Sequence, residues 1–208
     1  NFYARPYEMP YNYQRKMACS YGWDWGPITV SSGIWKKIEI QRWDDAFIRD
    51  ISATTTVENG VPSFNLQLRI GGVYKGKSIR TTITDASGKV IFEEKSELLS
   101  AELRAIRDVS EAQLWHPRGR GDQTLYYLAC ELIDSHGGVV QKVEKRIGFR
   151  KVELDTSRIA KEMSGRDAKH MFAIKVNGER LWIRGANWIP DDPFPTRVTK
   201  ARYRQRID

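Results

Sequence analysis

Phe64-Asn65-Leu66-Gln67-Leu68-Arg69-Ile70 alternates strictly between apolar and polar side chains. A period of two puts Phe64, Leu66, Leu68 and Ile70 on one face, the pattern of a strand with one side in a core and the other in water. Tyr126, Leu128, Cys130 and Leu132 repeat the pattern. Asp134-Ser135-His136-Gly137-Gly138 then supplies a turn before Val139, Gln141 and Val143, which predicts a hairpin. A second hairpin is predicted where Asp85-Ala86-Ser87-Gly88 separates Ile79-Arg80-Thr81-Thr82-Ile83 from Val90-Ile91-Phe92. From Phe47 to Leu154 the turn signals delimit about seven short strands, the number expected of an immunoglobulin-like sandwich. The expected fold class is mainly β, with this sandwich spanning 44–154.

The flanking stretches read differently. Tyr21 to Trp43 is rich in indoles: Trp23, Trp25, Trp35 and Trp43. Ile34-Trp35-Lys36-Lys37-Ile38-Glu39-Ile40 is strand-like, and an isolated pair of strands is marginal in water. Residues 1–43 therefore read as the tail of a domain whose other strands lie elsewhere. Past the sandwich, Asn177-Gly178 sits between Phe172–Val176 and Leu181–Ile183, a strong short-range hairpin signal. Pro190, Pro193 and Pro195 exclude regular helix or a central strand there. Thr199 is placed to cap a basic helix that starts at Lys200. Both ends read as cut.

Composition narrows the function classes. With 40% hydrophobic and 29% charged residues, the 208-residue chain can bury a core. No apolar run approaches the roughly 20 residues of a membrane-spanning helix, so no membrane partner is expected. Its formal charge of +8 comes from 34 Lys and Arg against 26 Asp and Glu, spread in small groups such as Lys36-Lys37 and Arg118-Gly119-Arg120. No nucleic-acid-binding signature accompanies them, so no such partner is expected either. Cys19 and Cys130 lie far apart, without metal-ligand spacing, and His116, His136 and His170 are equally scattered, so neither metal nor cofactor is expected. Asn1 to Tyr7 shows no export signal. That and the absence of a disulfide framework point to a cytoplasmic protein, with secretion left open.

Two stretches carry chemistry. In Gly22-Trp23-Asp24-Trp25-Gly26-Pro27, two indoles bracket a carboxylate in a tight loop. A sugar site needs an aromatic face for its C–H surface and an acceptor for its hydroxyls. The same residues also suit a core with a turn aspartate, and the residues alone leave both open. Gly185-Ala186-Asn187-Trp188-Ile189-Pro190-Asp191-Asp192-Pro193 places amide, indole and carboxylates in a second loop, which alone reads better as a proline-rich connection.

In this order, these stretches resemble the β-mannosidase branch of the family 2 glycoside hydrolases. Arg15 to Pro27 with Gly33-Ile34-Trp35 is similar to the end of the family's jelly-roll domain. Leu114-Trp115-His116-Pro117-Arg118-Gly119 and Arg146-Ile147-Gly148-Phe149-Arg150 resemble signatures of its immunoglobulin-like domain. Phe172 to Pro190 resembles the hairpin and first strand of its (β/α)8 barrel, which the resemblance places over 155–208. It implies a retaining exo-hydrolase acting on terminal β-D-mannose, and hence a β-mannoside oligosaccharide as substrate. Trp23 and Asp24 would meet the sugar, with Asn187, Trp188 and Asp192 on the barrel side. The family's acid/base is a glutamate directly after an asparagine, and no Asn-Glu pair occurs in this chain. No catalytic residue is therefore assigned, and the chain alone is expected to be inactive. The alternatives are a stand-alone carbohydrate-binding sandwich and a family 2 β-galactosidase or β-glucuronidase.

Overall fold

The computed structural model describes residues 13–159 and 170–208; the opening Asn1–Tyr7 stretch lies outside them. The chain divides into two compact units, Arg42–Arg184 and the pair of segments Asn1–Gln41 and Gly185–Asp208.

The first unit contains the sandwich. Its seven strands are β1 (Ala46–Glu58), β2 (Val61–Gly72), β3 (Ser78–Thr84), β4 (Val90–Glu97), β5 (Glu102–Asp108), β6 (Tyr126–Ile133) and β7 (Val139–Ile147). They form two antiparallel sheets, ordered β1-β2-β5 and β4-β3-β6-β7. Phe64, Leu66, Leu68 and Ile70 are all buried, as their alternation requires, and Leu128, Cys130 and Leu132 face them from β6. Phe92 meets Phe64 edge-on at 5.2 Å, and Tyr126 meets Phe149 likewise at 5.6 Å. The Tyr126 hydroxyl, pulled to the rim by its ring, accepts the Gln113 amide at 2.7 Å. Asn59 and Gly60, both with positive φ, make the tight turn from β1 to β2 that their dipeptide favours. Gly72 has φ +80°, and a Cβ there would lie 2.0 Å from the Asp45 carbonyl oxygen, so β2 can end only on glycine.

Side chains link the edges of β1 and β7. The Gln141 amide oxygen accepts the Ile48 N–H at 2.6 Å, Lys145 donates to the Ile51 carbonyl, and the Thr55 hydroxyl donates to the Gly148 carbonyl at 2.8 Å. Backbone groups that a neighbouring strand would have used are satisfied this way.

A third sheet continues the unit, with β8 (Val152–Asp155), β9 (Ala173–Val176) and β10 (Glu179–Leu181) in the order β10-β9-β8. Asn177-Gly178 makes the predicted turn, with φ of +52° and +82°. Asn177 also stitches the sheet to its surroundings. Its N–H donates to the Lys151 carbonyl at 2.9 Å and its Oδ1 accepts the Lys151 N–H at 3.0 Å. Its Nδ2 donates to the Trp115 carbonyl at 3.0 Å.

Two expected strands are not formed. Ile34–Ile40 and the stretch from Trp182 to Pro190, read as the first barrel strand, carry no ladder hydrogen bonds. A barrel strand takes its partners from neighbouring parallel strands, and the described residues contain none. Ile38 and Ile40 are accordingly 75% and 100% exposed. No helix among the described residues is long and apolar enough to cross a membrane.

Replacing Asn177 with Ala should cost about 2–4 kcal/mol in urea unfolding, because it strands two backbone partners and keeps a left-handed backbone without its stabilising side chain. Asn177→Gly should recover only the backbone part. Burial pushes the Cys130 thiol up to about 11, against a hydrogen bond with Thr81. Cys130 should therefore resist alkylation in the native chain at pH 8 and react on unfolding; equal rates in both states would contradict its burial.

Candidate functional site

The second unit brings the two chemistry-bearing stretches together. A single 3-10 turn, Ala18–Tyr21, delivers the chain to Gly22, whose φ of 106° redirects it. Trp23 and Gly26 then exchange both backbone hydrogen bonds at 3.3 Å, leaving Asp24 and Trp25 at the tip of a two-residue turn. The Trp23 and Trp25 rings lie 6.2 Å apart, tilted by 44°. Both indoles are substantially exposed, at 50% and 41%.

From the other segment, Gly185–Phe194 runs as an irregular loop into the short 3-10 turn Pro195–Arg197 and the helix α1 (Lys200–Ile207). The Thr199 hydroxyl caps α1 by accepting the Arg202 N–H at 3.2 Å, as its position predicted. Proline supplies no N–H and fixes φ, so this loop cannot be held by a backbone ladder. Side-chain charge holds it instead. The Asp192 carboxylate accepts Arg197 at 2.8 and 2.9 Å and the Phe194 N–H at 2.7 Å, and the guanidinium also lies over the Phe194 ring at 5.0 Å. Asp191 turns to α1, where its Oδ2 accepts Arg202 at 2.9 Å and Arg206 at 3.3 Å.

These partners set the charge state of the loop. Arg197 first, then the Phe194 amide, hold the Asp192 carboxyl below its ordinary value. Burial works against ionisation of Asp191, but the Arg202 and Arg206 guanidiniums outweigh it and the carboxyl is again lowered. Asp24 differs from both: among the described acidic residues of this unit it alone has no cationic partner.

Between the two segments lies a hollow of about 190 Å³. Trp25, Gly26, Pro27 and Thr29 form one wall; Ile189, Pro190, Asp191 and Pro193 form the other. Trp23, Asp24, Asn187, Trp188 and Asp192 belong to the same two loops but do not line it. Asn187 and Trp188 are exposed, and Asn187 makes no side-chain hydrogen bond among the described residues. Sequence reasoning missed Trp25 and Thr29 as wall residues and Asp191 as the clamped acid. The Trp25 indole was on view in the motif, but Asp191 finds its partners 11 and 15 residues away. No group of three or more His, Cys, Asp or Glu among the described residues could hold a metal ion.

Comparison with known proteins identifies the family. Residues 46–150 match the glycosyl hydrolases family 2, and residues 2–36 match its galactose-binding domain-like region. The chain belongs to family 2 of the glycosyl hydrolases. It is 31% identical over 202 residues to the Beta-mannosidase of Mus musculus, covering 92% of this chain and 22% of that protein. Beta-mannosidase B of Emericella nidulans is 30% identical over 199 residues, with 93% and 22% covered. The crystal structure of Beta-D-Mannosidase from Dictyoglomus thermophilum superposes with a TM-score of 0.77 at 33% identity, covering 91% of this chain and 23% of that one. Bacteroides uniformis beta-glucuronidase 3 shares the fold with a TM-score of 0.57 at 21% identity, covering 78% and 18%. The chain spans about a fifth of the length of the curated relatives it matches.

Because both loop carboxyls are lowered, their ion pairs stabilise the loop above the ordinary carboxylate range, about pH 3.9, and are lost as pH falls below it. The Phe194 amide, which reads the Asp192 charge directly, should keep its NMR shift from pH 7 down to about 4 and titrate only below. A midpoint at or above the ordinary carboxylate value would contradict the Arg197 lock.

Proposed function

We propose that this chain is part of a retaining exo-β-mannosidase that removes terminal non-reducing β-D-mannose. The observation that carries the reading is the Trp23–Gly26 turn, where two exposed indoles flank a carboxylate with no cationic partner. A carboxylate free of cations can accept sugar hydroxyls, and an indole face suits the C–H surface of a pyranose. Relatives named as β-mannosidases, matched over more than nine-tenths of the chain, support the same sugar.

On this reading residues 1–43 close a jelly-roll domain, 44–154 form the immunoglobulin-like domain, and 155–208 begin the catalytic barrel. Asp24 accepts mannose hydroxyls and Trp23 offers its exposed ring to the sugar beside it, with Asn187 and Trp188 reaching the sugar from the second loop. Asp192 serves in that set by fixing the loop through Arg197. Retention requires a nucleophile and an acid/base about 5–5.5 Å apart. Both glutamates belong to other parts of the full-length enzyme, so the residues here bind and orient the substrate. Positioning of this kind lowers the barrel's reaction barrier without supplying a reacting group. The unpaired thiols of Cys19 and Cys130 favour a cytoplasmic enzyme over the secreted alternative.

Hydrolysis of an aryl β-D-mannoside, with β-galactoside and β-glucuronide controls, tests this in the full-length protein and in the 208-residue chain. The full-length protein should cleave the mannoside and the chain alone should cleave nothing. Asp24→Asn in the full-length enzyme should lower kcat/KM by about 10–100-fold, the loss of one charged hydrogen bond. Activity on the galactoside or glucuronide alone would keep the family and overturn the sugar.

A further inference from the structure

We propose that Arg202 and Arg206 of α1 act through Asp191 as positioning residues, setting the width of the hollow beside Trp25. This rests on the reading of that unit as part of a mannoside site, and extends it to residues that touch no substrate.

Asp191 lines the hollow from one side, together with Ile189, Pro190 and Pro193. None of these has a strand neighbour, so the backbone alone leaves the wall free to shift. Its anchor is the Asp191 side chain, only 11% exposed, whose single Oδ2 accepts the Nε of both arginines. Positions 202 and 206 lie one helical turn apart and present two guanidiniums to one point. An exposed ion pair would fix little, because solvent screens it and both side chains stay mobile. Here the carboxylate is largely withdrawn from water, and removing its partners would leave a shielded charge unpaired, which is strongly unfavourable. The least costly response is for the loop to swing Asp191 back to water, which moves the wall.

The geometry separates this clamp from the lock at Asp192. Asp191 and Asp192 are adjacent, yet one is tied to α1 and the other to Arg197 in the preceding 3-10 turn. Two consecutive residues anchored to different elements fix both the position and the direction of the loop. Arg204, between the two clamping arginines, instead meets Asp208 at 4.0 Å, so one face of α1 serves the loop. Thr199 holds the helix start that sets the register of both arginines.

The test uses the full-length protein carrying Arg202→Met with Arg206→Met. Amide hydrogen exchange at 187–193 should accelerate at least about tenfold, as for a segment whose local opening has become easy. KM for the aryl β-D-mannoside should rise about tenfold while kcat stays within about twofold, since a shifted loop displaces Asn187 and Trp188 from the sugar without removing a reacting group. Arg202→Lys with Arg206 intact keeps one guanidinium and the second charge, and should hold KM within about threefold of the parent. Unchanged exchange at 187–193 would overturn the proposal. So would a lowered urea midpoint with unchanged KM, which would make the clamp a matter of stability alone. Should the parent hydrolyse no β-mannoside, the functional reading falls, and the clamp is judged on exchange: acceleration confined to 187–193 upholds it, and unchanged exchange overturns it.

Discussion

Every backbone N–H and C=O removed from water must find a partner, and this requirement decides which parts of the chain become strands. In the sandwich the requirement is met twice over. Inner strands β2, β3 and β6 are paired on both sides, and Gln141 and Lys145 of β7 bond backbone groups on the edge of β1 while Thr55 of β1 bonds the Gly148 carbonyl just past β7. Ile34–Ile40 and 182–190 have the side chains of strands but no partners among the described residues, and they stay irregular. Hydrophobic pattern alone does not make a strand; it selects the face once a ladder exists.

Where the ladders stop, individual side chains take over. Asn177 is the clearest case, since it adopts the left-handed backbone its turn demands and then uses its amide as a substitute strand edge for Lys151 and Trp115. Asn tolerates that conformation better than any residue with a longer or branched side chain, and glycine would tolerate it without supplying the bonds. The proline-rich loop carries the substitution further. With few N–H groups to offer, it is held by Asp191 and Asp192 against arginines. Ladder hydrogen bonds ignore pH over the working range, whereas carboxylate pairs fail in acid. The sandwich and the loop therefore rest on forces with different sensitivities.

The sandwich was legible because its signals are local. Alternation at Phe64–Ile70 and Tyr126–Leu132, the turns at Asp85–Gly88 and Asp134–Gly138, and the Asn177-Gly178 hairpin each lie within a few residues, and each appears in the fold where read. The Thr199 cap is equally local. Ile34–Ile40 was read from side-chain pattern, and pattern is silent on whether a partner is present; 182–190, which the family resemblance assigns to a barrel strand, likewise has no ladder partner among the described residues. The Asp191 clamp was hidden for another reason. Adjacent acids look alike in sequence, and only the path of the loop decides that one meets Arg197 and the other meets α1.

That division of labour bears on which carboxylate is left for a sugar. A hydroxyl-accepting carboxylate must be charged and not already saturated by stronger donors. Arg197 and the Phe194 amide occupy Asp192, and two guanidiniums occupy Asp191. Glu39 and Asp208 are paired as well. Asp24 remains, at the tip of a turn whose backbone bonds are complete without it and whose neighbours are two exposed indoles. A turn needs no tryptophan on either side of its aspartate, and exposed indoles give up the burial that ordinarily stabilises them. The three acids thus separate by partner into two that hold the loop to arginines and one, Asp24, with no cationic partner among the described residues.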